Sequence, residues 1–577
     1  MEHHAEILRR GIWRPRAANW QDVLATALLV ATIVLLGLGA RQMLAPFMAA
    51  RQPEISLSPA ALPVYALRTT VRMLAALVAS FAFTFTYATL AAKCRRAETV
   101  LIPLLDVLQS VPILGYLSFT VVFFVSLFPG SILGPELAAI FAIFTSQAWN
   151  MAFSFFQALR TVPHDLDEAS RSFRFSAWQR FWRLEVPFAM PGLIWNTMMS
   201  MSGGWFFVVA SEAISVGDLH VALPGIGSYV ARAIEDHNLG AVGWAIMAMT
   251  VTIVIYDQLL FRPLVAWADK FRYEQTAAQT LPKSWVIELF RRTRILKPTG
   301  ECIGRVLQTA ARARLSFPSL VWPFERSLMS RFFDILWYGG ISLAIAYAGW
   351  ILTRYVGSEL SWTDISDVLG NGSLTLLRVA ILIVIATVIW VPIGVAVGLR
   401  PNVAEKVQPL AQFLAAFPAN LLFPVAVYLI VRFDLVPKIW LSPLMILGTQ
   451  WYILFNVIAG ASAFPSDLRE AAASLRMSRR RWWREVMLPG IFPYYVTGAI
   501  TASGGAWNAS IVSEAVTWGP TKINGSGLGA YIAQMTQAGD YPRIALGIAM
   551  MSVLVVAMNR LVWRPLYSFA ERRTRLD

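Results

Sequence analysis

"DLDEASRSFRFSAWQRFWRLEVPFAMP" runs from Asp165 to Pro191, and "DLREAAASLRMSRRRWWREVMLPGIFP" runs from Asp467 to Pro493. Both stretches are polar, carry Arg and Trp, and lie between long apolar runs. Taken with the residues just before them, 163–191 and 465–493 share ten of 29 positions at a constant offset of 302. Pro163, Asp165, Leu166, Glu168, Ala169, Ser172, Arg174, Ser176, Pro187 and Pro191 each recur. The same offset pairs Trp205 with Trp507, Ser211-Glu212 with Ser513-Glu514, and Gly225-x-Gly227 with Gly527-x-Gly529. Further upstream, at a slightly different offset, Arg72 pairs with Arg378 and Pro112 with Pro418. Self-similarity over most of each half is a tandem duplication.

The 577 residues are 57% hydrophobic and only 14% charged, too little charge to cover a soluble chain of this size. Apolar windows such as 23–40 and 380–399 are long enough to cross a bilayer core of about 30 Å. The expected spans lie near 22–42, 66–92, 100–128, 132–158, 190–214 and 239–268, then 332–354, 371–399, 407–431, 440–461, 490–514 and 541–568. The reading is an all-α polytopic protein of about 12 membrane helices in two tandem six-helix repeats. An even number of spans returns the chain to its starting side, so the repeats share one orientation and a pseudo-two-fold along the membrane normal.

The net charge of +15 would suit nucleic-acid binding, but its placement argues for a membrane instead. Arg9, Arg10, Arg14 and Arg16, the loop 93–98, both quoted stretches and the C-terminal tail hold the cations. Acidic residues mark other loops, such as 235–237 and 358–367. This is the positive-inside pattern, which puts the basic segments and both termini in the cytoplasm. The expected organisation is an N-terminal segment 1–21, a first repeat 22–268, a basic linker 269–331, a second repeat 332–570 and a tail 571–577. The linker holds 12 Lys/Arg against 5 Asp/Glu, and 285–296 reads as a helix lying on the membrane surface. The first apolar run is read as a retained span, and Cys94 and Cys302 as reduced thiols without function.

Within each quoted stretch two short helices joined by a tight bend are expected. Asp165 with Glu168, and Asp467 with Glu470, have the spacing of a capping box. Ser176 with Gln179 repeats that spacing, whereas Ser478 is followed by Arg481. Pro187 and Pro489 are expected to stop the second helix of each pair, because a proline disfavours the helical conformation at the residue before it.

The stretch Glu470-Ala471-Ala472, followed by a bend and then Leu488-Pro489, resembles the signature loop of ABC-importer permeases, and Glu168-Ala169 with Pro187 is similar. The wider pattern resembles the nitrate/sulfonate/taurine-type branch, with an Arg in the second span, a Pro in the third and "W…SE" in the fifth. The resemblance implies a type I importer-like fold in a bacterial inner membrane, fused from two permease units. It implies that loops 163–187 and 465–489 each dock on a separate cytoplasmic ATPase subunit through Asp165, Glu168, Ala169, Arg174, Ser176 and Pro187, and through Asp467, Glu470, Ala471, Ala472, Arg476, Ser478 and Pro489. An extracytoplasmic solute-binding protein and a small anionic substrate follow from the same likeness. At the bend the family usually has Gly, where this chain has Arg174 and Arg476.

Arg72 and Arg378 fall inside the second spans and Glu212 and Glu514 near the ends of the fifth. Ionisable groups there are costly unless paired, so Arg72–Glu212 and Arg378–Glu514 are expected to pair. Trp205, Trp507 and Asn508 sit mid-span, either lining a central path or packing the core. No phosphate-binding loop of the Gly-Lys-Ser/Thr type is present, so the chain is not expected to be an enzyme, to bind a cofactor or to hold a metal. ATP and Mg would be handled by the partner subunits. The rival reading is an ion-coupled secondary transporter with parallel repeats; a channel or scaffold is a third.

Overall fold

The computed structural model describes residues 20–42, 55–216, 219–271, 284–293, 296–314, 337–343, 346–347, 349–351, 354, 360–462, 464–518 and 521–573. The chain divides into two compact units. One comprises Met1–Gly39, Ala158–Trp195 and Ile255–Ser319, and the other Ala40–Gln157, Asn196–Val254 and Leu320–Asp577. The first expected span is helix Trp20–Gln42, and the described positions of the expected span at 332–354 (337–343, 346–347, 349–351 and 354) are all helical.

Among the described residues five helices are long and apolar enough to cross a membrane: Pro59–Lys93, Leu133–Arg160, Leu239–Ala268, Trp362–Gly398 and Tyr541–Phe569. Three bent pairs raise the number to eight if each is one span. The fifth helix of each repeat, Val186–Glu212 and Leu488–Ser513, is 27 and 26 residues long.

The third spans are not the single rods expected. Arg95–Gln109 meets Ile113–Leu127 at 102°, and Pro401–Ala416 meets Ala419–Arg432 at 77°. Pro112 and Pro418 stand at the two breaks in extended backbone, with ψ of 123° and 102°. A proline cannot donate the helical hydrogen bond and clashes with the preceding turn, so each rod breaks there. The fourth span of the second repeat is also bent, by 42°, between Pro437–Leu447 and Gln450–Ser462.

The fifth and sixth helices treat proline differently. Five-residue π turns at Phe181–Glu185, Asp257–Phe261, Trp483–Met487 and Asn559–Trp563 stand in the helices that lead into Pro187, Pro263, Pro489 and Pro565. In each, the residue before the proline donates its N–H five residues back, as Val186 does to Phe181 and Leu488 to Trp483. The widened turn moves aside the carbonyl on which the ring would have collided. Pro187 and Pro489 therefore do not stop the helix, contrary to the sequence expectation. The chain stays helical from Ala177 to Glu212 and from Arg479 to Ser513.

Small residues set the spacing of the second repeat's core. A Cβ on Gly394 would lie 2.7 Å from Val457, and one on Gly398 would lie 2.6 Å from Ala461, so helices Trp362–Gly398 and Gln450–Ser462 approach nearly backbone to backbone. This is the small-xxx-small packing that holds helices together where lipid removes the hydrophobic drive. Val379, Ile453, Val457, Ala502 and Met551 fill the space around that seam.

Neither β-hairpin was anticipated. Ala213–Val216 pairs antiparallel with Leu219–Ala222, and Ala515–Trp518 pairs with Thr521–Asn524, at the same offset of 302. Each follows a fifth helix and leads into a short helix, Ile226–Glu235 or Leu528–Ala538.

Candidate functional site: coupling elements and buried latches

The first coupling element is helix His164–Ser172, a bend, then helix Ala177–Arg180 flowing into the π turn. Pro163 occupies the N-cap position without a side-chain bond, so Asp165 sits inside the first turn and the expected Asp165–Glu168 box does not form. Proline is favoured at a helix start because its missing N–H would have been unpaired there anyway. Glu168 instead faces His164, 3.2 Å away. The second box is as expected: Ser176 Oγ accepts from the Gln179 N–H, and Gln179 Oε1 accepts from the Ser176 N–H at 3.0 Å.

At the bend Arg174 has φ +52° and Arg476 has φ +46°, the left-handed region that glycine enters without strain. Phe175 N–H reaches Ser170 O at 3.0 Å and Arg174 N–H reaches Arg171 O at 2.9 Å, closing a Schellman motif. Met477 N–H reaches Ala472 O at 3.2 Å in the second repeat. Arginine thus holds the conformation that the resemblance assigns to glycine. The bends keep their shape despite the different residue.

The second element, helix Ser466–Ser474 followed by Arg479–Trp482, repeats this path. Asp467 again lies within the first turn, not at the cap. Ser478 takes the N-cap position without the side-chain bond that Ser176 makes, and Arg481 in place of the glutamine removes the reciprocal half of the box. Glu470 and Ala471 are exposed, whereas Ala472 is buried.

The buried pairs are present in both repeats, and both are larger than expected. Arg72 Nη1 lies 2.7 Å from Glu212 Oε1, with neither side chain exposed. Arg72 Nε and Nη2 also grip Glu136 at 2.6 and 2.7 Å, and its guanidinium donates to Pro224 O at 3.1 Å. Thr69 Oγ1 donates to Glu212 at 2.6 Å and accepts from the Ile226 N–H at 3.1 Å. Gly227 N–H closes the ring on Glu212 Oε2 at 2.7 Å. One carboxylate therefore ties the second span to the start of helix Ile226–Glu235, where negative charge is favoured.

In the second repeat Arg378 Nη1 lies 3.0 Å from Glu514, Thr375 Oγ1 donates to Glu514 at 3.0 Å, and Gly529 N–H donates at 2.8 Å. Arg378 Nη1 also donates to the carbonyl of Ser526, and Nη2 to those of Gly525 and Lys438. The Gly-x-Gly motif is explained by this latch: a Cβ on Gly225 or Gly527 would fall on the glutamate carboxyl, and one on Gly227 or Gly529 on a backbone carbonyl. The sequence reading missed Thr69, Thr375 and Glu136. The threonines recur three residues before each arginine, which was the signal available.

Trp205 and Trp507 are buried to within 1% exposure and belong to the helix packing. Asn508 bridges the repeats: its Oδ1 accepts from the Ile113 N–H at 2.7 Å, at the break of the first repeat's third span. At the matching place Asn420 Nδ2 donates to Phe206 O at 3.2 Å. Each fifth helix thus meets the broken third span of the other repeat, with different side chains making the bond. That reciprocity is what a two-fold relation between the repeats requires.

A polytopic helical chain with two matched helix–bend–helix elements, two latches and reciprocal contacts between its repeats has the build of a transport permease whose membrane domain occurs in tandem. The family described as "Binding-protein-dependent transport system inner membrane component" matches twice, over residues 84–262 and 389–564. The chain belongs to that family and carries its domain in tandem. It is similar to the bicarbonate transport system permease protein CmpB of Synechococcus elongatus, 30% identical over 273 residues covering 46% of this chain and 87% of the relative. It is also similar to the nitrate import permease protein NrtB of Leptolyngbya laminosa, 26% identical over 35% of this chain and 73% of the relative. The glycine betaine/proline betaine permease ProW of Escherichia coli is 29% identical over 29% of this chain and 43% of the relative.

Proposed function

We propose that this chain is the complete membrane half of an ABC importer, moving a small oxyanion such as bicarbonate or nitrate across the bacterial cytoplasmic membrane. Both termini and both coupling elements face the cytoplasm, and a solute-binding protein delivers the cargo on the other side. Two separate ATPase subunits, one under 163–187 and one under 465–489, bind and hydrolyse Mg-ATP, because the chain has no phosphate loop. Their closure moves the coupling elements together and switches the central path between faces as a rigid-body change.

The observation that carries this reading is the coupling element itself, present twice with the same helix–bend–helix path and the same positive φ at Arg174 and Arg476. The helices that leave each element, Ala177–Glu212 and Arg479–Ser513, run on to the latch residue Glu212 and to the residue before Glu514. The relatives' bicarbonate and nitrate supply the substrate class. Purifying the full chain with its bound partners and measuring ATP-dependent uptake of labelled bicarbonate and nitrate into proteoliposomes tests it. Uptake by the isolated chain under an ion gradient, with no ATPase present, would replace this reading with the secondary transporter.

A further inference from the structure

The two coupling elements share a backbone but not a surface. Residues 164–187 carry four Asp/Glu and four Arg, whereas 466–489 carry three Asp/Glu and six Arg. In the first element most of the arginines are already spent. Arg171 pairs with Asp167 at 2.8 Å, Arg180 pairs with Asp167 and Glu185 at 3.0 Å, and Arg183 lies over the Phe175 ring at 4.8 Å. In the second element Arg481 pairs with Glu485 at 3.0 Å. Arg469, Arg476, Arg479, Arg480 and Arg484 are exposed and have no ion-pair partner among the described residues.

The linker accounts for one side of this difference. Its helix Leu296–Arg312 ends on the first coupling element, where Trp178 Nε1 donates to Ala310 O at 2.8 Å and Gln179 Nε2 donates to Arg312 O at 2.7 Å. Both are carbonyls of a last helical turn, where Ala310 O also accepts from the Ala313 N–H at 3.2 Å. The second repeat has Arg480 and Arg481 at the matching positions. Among the described residues its five exposed arginines thus stand without an ion-pair partner.

Resting on the ATPase reading above, we infer that the two docking positions are not equivalent. The second element holds its ATPase subunit largely by charge, against an acidic groove. The first holds its subunit by shape and apolar contact, on a surface that the linker helix has already braced. Two subunits of different groove charge would then bind in one fixed order. Exposed charge pairs weaken as ionic strength rises and the screening length shortens, while apolar contacts do not.

The tips of the elements offer matched reporters, since Phe173 and Leu475 are each 76% exposed. A photo-crosslinking amino acid placed singly at either position in the full chain, co-purified with its ATPase subunits, reads each dock separately. Raising salt from about 50 mM to about 500 mM should cut the position-475 crosslink by about tenfold and change the position-173 crosslink by less than about twofold. Replacing Arg479 and Arg480 together by Ala should flatten the salt response at 475 and leave 173 unchanged. Equal salt responses at both positions overturn the inference while leaving the ATPase reading intact. Failure to crosslink any nucleotide-binding subunit at either position overturns the ATPase reading itself.

Discussion

Arg72 and Glu136 form a two-pronged buried ion pair, Nε to Oε2 at 2.6 Å and Nη2 to Oε1 at 2.7 Å, while Arg378 at the matching place reaches only the backbone carbonyl of Lys438 at 3.2 Å. Pro135-Glu136 and Pro437-Lys438 are copies of one another, so duplication kept the position and changed the chemistry. Removing one partner of a buried pair strands the other charge. Glu136→Ala is therefore expected to cost about 3–5 kcal/mol. Lys438→Ala, which leaves the contributing carbonyl in place, should stay within about 0.5 kcal/mol. Thermal unfolding of both variants in detergent checks this, and equal losses would mean that the two latches are electrostatically alike.

Exchanging the charges of the second latch is a familiar test of pairing, and here it should fail. Glu514 accepts from Thr375, Arg378 and the Gly529 N–H at once. An arginine at 514 accepts nothing, so Thr375 and the first turn of helix Leu528–Ala538 would lose their acceptor. Arg378→Glu combined with Glu514→Arg is expected to be no more stable than Glu514→Ala alone, by folded yield after size-exclusion chromatography. Full recovery would show that Glu514 acts only as a countercharge.

The Gly-x-Gly motif makes a steric prediction with an internal control. Gly227→Ala and Gly529→Ala each drive a methyl group into a backbone carbonyl that cannot move aside cheaply. Both should lower the folded yield severely. Gly243→Ala, whose new methyl group meets nothing within 4 Å, should be neutral or stabilising by up to about 1 kcal/mol. Comparable yields for all three would remove the close backbone approach from the account of the motif's second glycine.

What the sequence could reveal was whatever the duplication had written twice. The helix–bend–helix elements and the Arg72–Glu212 and Arg378–Glu514 pairs were legible because they recur in both copies, and the Ser176 box, present in one copy, because its local spacing identified the partners. Glu136 was hidden for the converse reason: its copy is Lys438, so a search for shared features passes over it. The hairpins were hidden because four-residue strands such as Ala213–Val216 end an apolar helix without a break in composition. Pro187 and Pro489 misled, since the rule that a proline ends a helix assumes an ordinary turn before it, and here the turn is a π turn. Asp165 misled because Pro163 had already taken the cap position.

The left-handed bends hold a different kind of information. Arg174 and Arg476 adopt φ near +50° without glycine's freedom, at a cost of about 1 kcal/mol each. Arg476→Gly should therefore raise the unfolding midpoint slightly, while Arg476→Val should lower it, because a β-branched residue tolerates that conformation worst. If the glycine variant is more stable but transports its anion more slowly, the arginine is retained for its contact and not for the bend. A glycine variant with lower stability would mean that the Arg476 side chain makes a stabilising contact within the chain.

The linker cap can be separated from the coupling element that provides it. Gln179 uses one side-chain atom on each: Oε1 accepts from Ser176, and Nε2 donates to Arg312 O at 2.7 Å. Gln179→Glu preserves the acceptor and abolishes the donor, so the capping box survives and the linker bond does not. Trp178→Phe keeps an aromatic ring against Trp182 but removes the N–H that holds Ala310 O at 2.8 Å. Each lost bond is worth about 1 kcal/mol, so the two together should speed amide exchange in the last turns of helix Leu296–Arg312 by about tenfold or more. Exchange within 466–489 serves as the control and should not change. Unaltered exchange in 296–312 would mean that other contacts hold the helix and that the first coupling element is not braced by it.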